Sequence, residues 1–217
     1  MTQFGDIAER LDRVRQQIVD AGGTGVEILA VTKGHPVAAI HAAAAVGLKV
    51  IGENYAQELL AKVSGVTLEV AVHFIGQLQT NKVRQIAGTV AVYETVDRPA
   101  LTTEIAKRAP GAHVLIQIDT SDEPGKGGCP PAEAERLVTQ ARAAGLVVDG
   151  LMTVGPTEGG PEAARPGFRL VRLVCDDLGL TTCSMGMTDD FVVAVQEGST
   201  RVRLGSALFG MRPARTS

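Results

Sequence analysis

A single (β/α)8 barrel with one extra helix at its N-terminus is the fold this sequence predicts. Three observations carry that prediction. Eight short β-prone runs recur along the 217 residues. Segments of helical period separate most of them, the mark of parallel strands joined by right-handed crossovers. No Pro/Ser-rich linker interrupts the series, so residues 1–217 read as one domain, at the short end of the size range for a closed barrel. An open doubly wound sheet is the competing arrangement.

The elements follow in order. A helix over about residues 2–21 presents Ile7, Leu11, Val14 and Ile18 at helical spacing, and Gly22-Gly23 end it. The first strand is 28–33 (ILAVTK), closed by Gly34 and Pro36, and a helix over 37–46 follows. Strand 49–52 (KVIG) leads to helix 54–63, and strand 71–76 (AVHFIG) to helix 79–87. Strand 90–96 (VAVYETV) precedes helix 98–108, and strand 113–119 (HVLIQID) precedes helix 131–144. Strand 147–152 (VVDGLM) and helix 162–178 come next, then strands 181–185 (TTCSM) and 201–204 (RVRL). The loop 155–167, GPTEGGPEAARPG, follows the sixth strand and has the composition of an active-site lid.

Composition removes several function classes. The net charge is −3 and no basic block is present, which argues against a nucleic-acid or anionic-membrane surface. No apolar run approaches the roughly 20 residues that span a bilayer. The first residues are polar and amphipathic, unlike a signal peptide. Cys129, Cys175 and Cys183 are odd in number and form no CxxC pair, so neither structural disulfides nor a metal site is expected. A reduced, cytoplasmic setting fits.

A barrel of this kind carries its site at the C-terminal strand ends. Lys33 ends the first strand there. His73 lies on the third, Gln117 and Asp119 share a face of the fifth, and Arg201 and Arg203 share a face of the eighth. A lysine, an arginine, an amide and a carboxylate are therefore expected around one mouth. Small residues at the last two strand ends, Ser184, Gly186, Gly205 and Ser206, have the chemistry of a phosphate cup. An amine that is buried or beside a cation loses its proton more readily and can then attack a carbonyl. Lys33 could instead be a stem that snorkels to water. A reactive lysine with a phosphate cup suggests a phosphorylated carbonyl compound, either pyridoxal 5′-phosphate (PLP) or a sugar phosphate in a lysine-dependent aldolase.

The ordered motifs AVTK, IGENYAQE, HFIGQLQTNK, GLMTVGP, SMGMTDDF, AVQEGST and VRLGSALFG span nearly the whole chain. Together they resemble the PLP homeostasis protein family (the YggS/PROSC family), itself similar to the barrel domain of alanine racemase. The resemblance implies a fold type III PLP-binding barrel that holds PLP as a Schiff base on Lys33. It implies Asn54 near the cofactor, Ser184, Gly205 and Ser206 at its phosphate, and Arg203 at its pyridine nitrogen. His73, Met185 and Gly186 complete the expected cofactor-binding set. His73 reads alternatively as a hydrogen-bonded core residue, and Met152, Met185 and Met187 as packing or as a methionine wall against the ring. Gln79, Asn81 and Lys82 read as a helix start, Asp189 and Asp190 as charges at another, and Arg201 as the partner of a carboxylate.

Arginine at the ring nitrogen donates and cannot accept, so the nitrogen stays unprotonated and the ring is a weak electron sink. Alanine racemase takes its second acid/base, a tyrosine, from a separate domain. Only Tyr55 and Tyr93 are present here, neither at an obvious racemase position. The expected function is therefore intracellular PLP (vitamin B6) homeostasis without catalytic turnover, as a monomer, with PLP-dependent apoenzymes as expected partners. A small amino-acid racemase and a sugar-phosphate aldolase are the alternatives. Departures from the family pattern are Thr32 and Ser206 where serine and threonine are frequent, Asp119 for asparagine, and Gly127 for phenylalanine in the loop 121–128.

Overall fold

A computed structural model describes residues 4–64 and 69–211. The elements expected from periodicity lie close to those observed. Eight parallel strands close into a barrel in sequence order: β1 (Glu27–Val31), β2 (Val50–Glu53), β3 (Ala71–Phe74), β4 (Val92–Val96), β5 (His113–Gln117), β6 (Val147–Met152), β7 (Thr182–Ser184) and β8 (Arg201–Leu204). Closure runs through β1 and β8, where Leu29 pairs with Arg203 and Ala30 with Leu204.

The helices are α1 (Ile7–Asp20), α2 (Val37–Ala45), α3 (Ala56–Val63), α4 (Thr80–Ile86), α5 (Pro99–Arg108), α6 (Ala134–Ala143), α7 (Arg165–Asp177), α8 (Phe191–Gln196) and the single turn α9 (Ser206–Phe209). The extra helix α1 buries Ile7, Leu11, Val14 and Ile18, the stripe its sequence period marks. Among the described residues no helix is long and apolar enough to cross a membrane.

Alternation sorts the strand residues into two layers. On β1, Leu29 and Val31 join a small inner cluster with Val50 and Ile75, while Ile28 and Ala30 pack toward the helices. Most of the apolar core is this outer layer, between sheet and helices. Cys129, Cys175 and Cys183 are buried free thiols.

Four strands end earlier than their β-prone runs, β7 by a single residue, at Ser184. β1 stops at Val31, and Gly34 turns the chain with φ +74, a conformation glycine adopts at little cost. Lys33 therefore sits in a turn above the strand. β3 stops at Phe74. β5 stops at Gln117 because Ile118 bridges to Cys129, which draws the following residues aside.

Candidate functional site

The barrel interior carries a polar layer. Arg201 and Arg203 point inward on β8, while Val202 and Leu204 are fully buried on the helix side. At the centre lies Glu94 of β4, fully buried. One carboxylate oxygen accepts from His73 Nδ1 at 2.6 Å and from Arg201 Nη1 at 3.0 Å; the other accepts from Ser184 Oγ at 2.6 Å. Burial alone would raise the Glu94 carboxyl, but the His73 hydrogen bond and the charges of Arg201, His73 and Arg203 outweigh it and hold it at about 2. Arg201 also pairs with Glu27, at 2.5 Å, so its charge is consumed within the fold.

Arg203 is fixed by the same layer. Its Nη1 donates to Ser184 O at 2.6 Å and to Ser184 Oγ at 3.0 Å, and its Nη2 donates to Thr153 O at 2.7 Å. Burial draws the guanidinium below its ordinary value, while the Glu94 and Asp190 carboxylates oppose that. Three of its five N–H groups are thus committed to the protein, leaving Nε–H and one N–H of Nη2 without a hydrogen-bond partner among the described residues.

Above this layer, at the C-terminal strand ends, opens a cavity of about 460 Å³. Lys33, Asn54, Arg203, Gly205 and Ser206 line it. Val31, Ile75, Met152, Val154 and Met187 supply an apolar wall. Thr188 and Asp189 complete the rim, and the Thr188 hydroxyl meets Ser206 Oγ and the Ala207 N–H, each at 3.3 Å. Asn54 Oδ1 is buried with no hydrogen-bond partner among the described residues. An unsatisfied buried carbonyl beside a cavity is a place where a ligand donor would be gained.

This donor set fits PLP. An amine, a guanidinium N–H, an apolar wall of ring width and two hydroxyls beside Gly205 surround one space, and the volume lies in the range of small-molecule pockets.

Five of the nine residues expected to bind the cofactor line that cavity: Lys33, Asn54, Arg203, Gly205 and Ser206. The other four lie outside its lining. His73 and Ser184 sit in the polar layer beneath, bonded to Glu94. Met185 is fully buried in the helix-side core, because Ser184 points inward and its neighbour must point out; Met187 and Met152 form the methionine wall instead. Gly186 has φ +95, and a Cβ there would come within 2.6 Å of Ala194 Cβ, so its smallness serves the packing of α8.

The carboxylate expected from Asp119 is elsewhere. With β5 ended at Gln117, Asp119 Oδ1 accepts from the Ser121 and Asp122 N–H groups at 3.0 and 3.2 Å, and Gln117 donates to Gly127 O at 2.7 Å. Asp189 is the acid at the mouth. Gln79 and Lys82 line a separate, more open recess of about 600 Å³ that touches the first cavity at Asn54. The recess is the larger space, but Lys33 and Arg203 are not in it.

Two loops border the site. Glu123 accepts the Thr157 N–H at 2.8 Å and the Thr157 hydroxyl at 2.7 Å, and Lys126 Nζ donates to Gly155 O at 2.6 Å. The loops 121–128 and 155–167 are therefore stitched to each other.

A closed eight-stranded barrel with a lysine, an arginine and a hydroxyl cup at one mouth defines a PLP-type barrel by its chemistry, and the comparisons bear on that class directly. The profile of the family described as "Alanine racemase, N-terminal domain" matches residues 4–213. The pyridoxal phosphate homeostasis protein of Aquifex aeolicus is 39% identical, over 94% of this chain and 97% of that protein. The protein of the same name from Pseudomonas aeruginosa is 37% identical, over 95% and 96%. The solved structure of PipY from Synechococcus elongatus with PLP bound superposes with a TM-score of 0.82 at 30% identity, covering 94% of this chain and all of that one. The chain belongs to the alanine racemase N-terminal domain family, within the branch of the pyridoxal phosphate homeostasis proteins.

Proposed function

We propose that this protein binds PLP at the Lys33 cavity and serves intracellular vitamin B6 homeostasis, holding the cofactor reversibly and without turnover. The observation that carries the reading is the convergence of Lys33, Arg203, Gly205 and Ser206 on one cavity, in a chain whose relatives are PLP homeostasis proteins.

When bound, PLP supplies an aldehyde whose carbon takes an amine with loss of water. Lys33 is the amine that faces the cavity. Ser206 and Thr188 offer hydroxyls, with the small Gly205 beside them, to a phosphate. Arg203 would offer the ring nitrogen a permanent donor, which would leave that nitrogen without a proton and limit stabilisation of a carbanion. The apolar wall would shield the ring from water.

The residues able to move a proton at this cavity are few. Among its lining side chains Lys33 and Asp189 are the ordinary acid/base candidates. Tyr93 is buried and raised to about 12 by that burial, and Tyr55 is exposed in the neighbouring recess. Racemisation needs a proton carrier on each face of the substrate, so retention fits this lining better. In this role the protein is a cytoplasmic monomer whose partners are PLP-dependent apoenzymes that receive PLP.

The test is the absorption spectrum of the purified protein with PLP, before and after Lys33→Ala, together with borohydride trapping. The reading expects a lysine-linked chromophore that the substitution abolishes and a trapped label on the peptide holding Lys33. A chromophore that survives Lys33→Ala in full overturns it. Solvent-deuterium incorporation at Cα of an added amino acid, with turnover, would favour the racemase alternative.

A further inference from the structure

Lys33 stands in a turn beyond the β1 ladder, yet the peptides on both sides of it are held by side chains. Before it, Thr32 Oγ1 donates to Glu53 Oε1 at 2.6 Å and Thr32 O accepts from Lys62 Nζ at 2.7 Å. After it, the Gly34 N–H donates to Glu58 Oε1 at 2.5 Å. Lys62 Nζ closes the set, 2.6 Å from Glu53 Oε1 and 2.7 Å from Glu58 Oε1. All three acceptors of its ammonium are thereby in the protein.

Lys62 is 8% exposed, and Glu53 is fully buried. Glu53 Oε2 has no hydrogen-bond partner among the described residues. A buried ion cluster of this kind is a poor source of net stability, because desolvation offsets most of the Coulombic gain. Its distinctive product is geometry. Backbone bonds hold the turn through Thr32 N to Gly52 O and His35 N to Thr32 O, both at 3.0 Å. The second of these shares the Thr32 carbonyl with Lys62, but neither takes the Gly34 N–H, which is held by Glu58. Lys62 in turn binds that carboxylate and the Glu53 carboxylate together.

We propose that Lys62 is a positioning residue for Lys33: through Glu58 and Glu53 it clamps Thr32 and Gly34, and so aims the Lys33 amine at the aldehyde carbon. This rests on the PLP reading above. Lys62, Glu53 and Glu58 are absent from the cavity lining and act only through the turn.

The test uses Glu58→Ala and Lys62→Met in the full chain. Glu58→Ala removes the Gly34 contact while leaving Glu53 paired with Lys62; Thr32→Val, close to isosteric, carries the same test should either variant fail to fold. Two quantities are read. The first is the rate of borohydride-trappable capture of PLP at Lys33. The second is the affinity for PLP without capture, measured in Lys33→Ala with and without Glu58→Ala. A clamp predicts capture slowed roughly tenfold at unchanged non-covalent affinity, since small misplacement of a reacting group costs rate and not binding. It also predicts faster amide hydrogen exchange at residues 33–35 in ligand-free protein. A merely structural role would lower the melting temperature and leave the capture rate of the folded variant alone. Capture by a folded variant within about twofold of the parent overturns the clamp while the PLP reading stands. Absence of any trapped label on the parent protein overturns both.

Discussion

Ser184 Oγ donates to Glu94 Oε2 at 2.6 Å while accepting from Arg203 Nη1 at 3.0 Å, so one hydroxyl couples the deepest carboxylate of the barrel to the arginine of the cavity. The layer is held by charge, and its stability should follow pH accordingly. Glu94 titrates at about 2 in the folded chain against an ordinary value of 4.5. Its folded value is depressed, so its stabilisation is complete above about pH 4.5 and fades as pH falls toward 2. The gap corresponds to roughly 3 kcal/mol. Glu94→Gln keeps the shape and removes the charge. Urea unfolding of the variant should show a loss of about 3 kcal/mol at neutral pH and a shallower decline between pH 4.5 and 2 than the parent. Equal acid slopes in the two proteins would contradict the assignment.

Arg203 should be intolerant of lysine. Its two Nη groups reach Ser184 and Thr153 at once, which one ammonium cannot do while also leaving a donor toward a ring nitrogen. Arg203→Lys is expected to lose about 1–3 kcal/mol of stability, because a buried carbonyl is left unsatisfied. Its affinity for PLP should fall at least about tenfold, measured by equilibrium dialysis.

The stitch between the two loops gives a local effect. Glu123 is held at about 2 by Lys126 and by both Thr157 groups, so it remains a carboxylate, and an acceptor, until strongly acid pH. Its side chain is one-third exposed, and the bonds order the loops more than they stabilise the barrel. Glu123→Ala should speed amide exchange and proteolytic nicking in both 121–128 and 155–167. The barrel's melting temperature should stay where it was. Faster exchange in one loop alone would mean that the loops are not coupled.

Much of this was legible in the sequence because the features were local. Strand alternation put Arg201 and Arg203 on one face and Lys33 at the mouth, and the period of Ile7, Leu11, Val14 and Ile18 marked α1. The polar layer was not legible. Glu94 sits in VAVYETV as a lone acid in a strand, and its partner Ser184 is 90 residues away. The Lys62 cluster joins residues up to 30 apart, and on the surface of a helix Lys62 reads as an ordinary solvated charge. Asp119 lies off the mouth because strand alternation ends with β5, where Ile118 bridges to Cys129 and the chain turns aside. Thr188 is not legible as a site residue, because in SMGMTDDF the two aspartates are the stronger signals.

Ser206 allows binding to be separated from folding. It is exposed, and among the described residues its hydroxyl makes only a long contact of 3.3 Å with Thr188 Oγ1. Removing it leaves no buried group unsatisfied, so Ser206→Ala should unfold within about 0.5 kcal/mol of the parent. A hydroxyl that donates to a phosphate is a different matter. Hydrogen bonds to charged groups contribute about 1.5–3 kcal/mol, which predicts a roughly tenfold to hundredfold weaker PLP affinity. Pyridoxal, which has the aldehyde and lacks the phosphate, provides the control. Its binding to Ser206→Ala and to the parent should be the same, because the contact removed is one it never makes. Thr188→Ala should weaken PLP in the same direction, and the double variant should fall short of additivity because the two hydroxyls touch. Equal loss of pyridoxal and PLP affinity would place the phosphate away from Ser206.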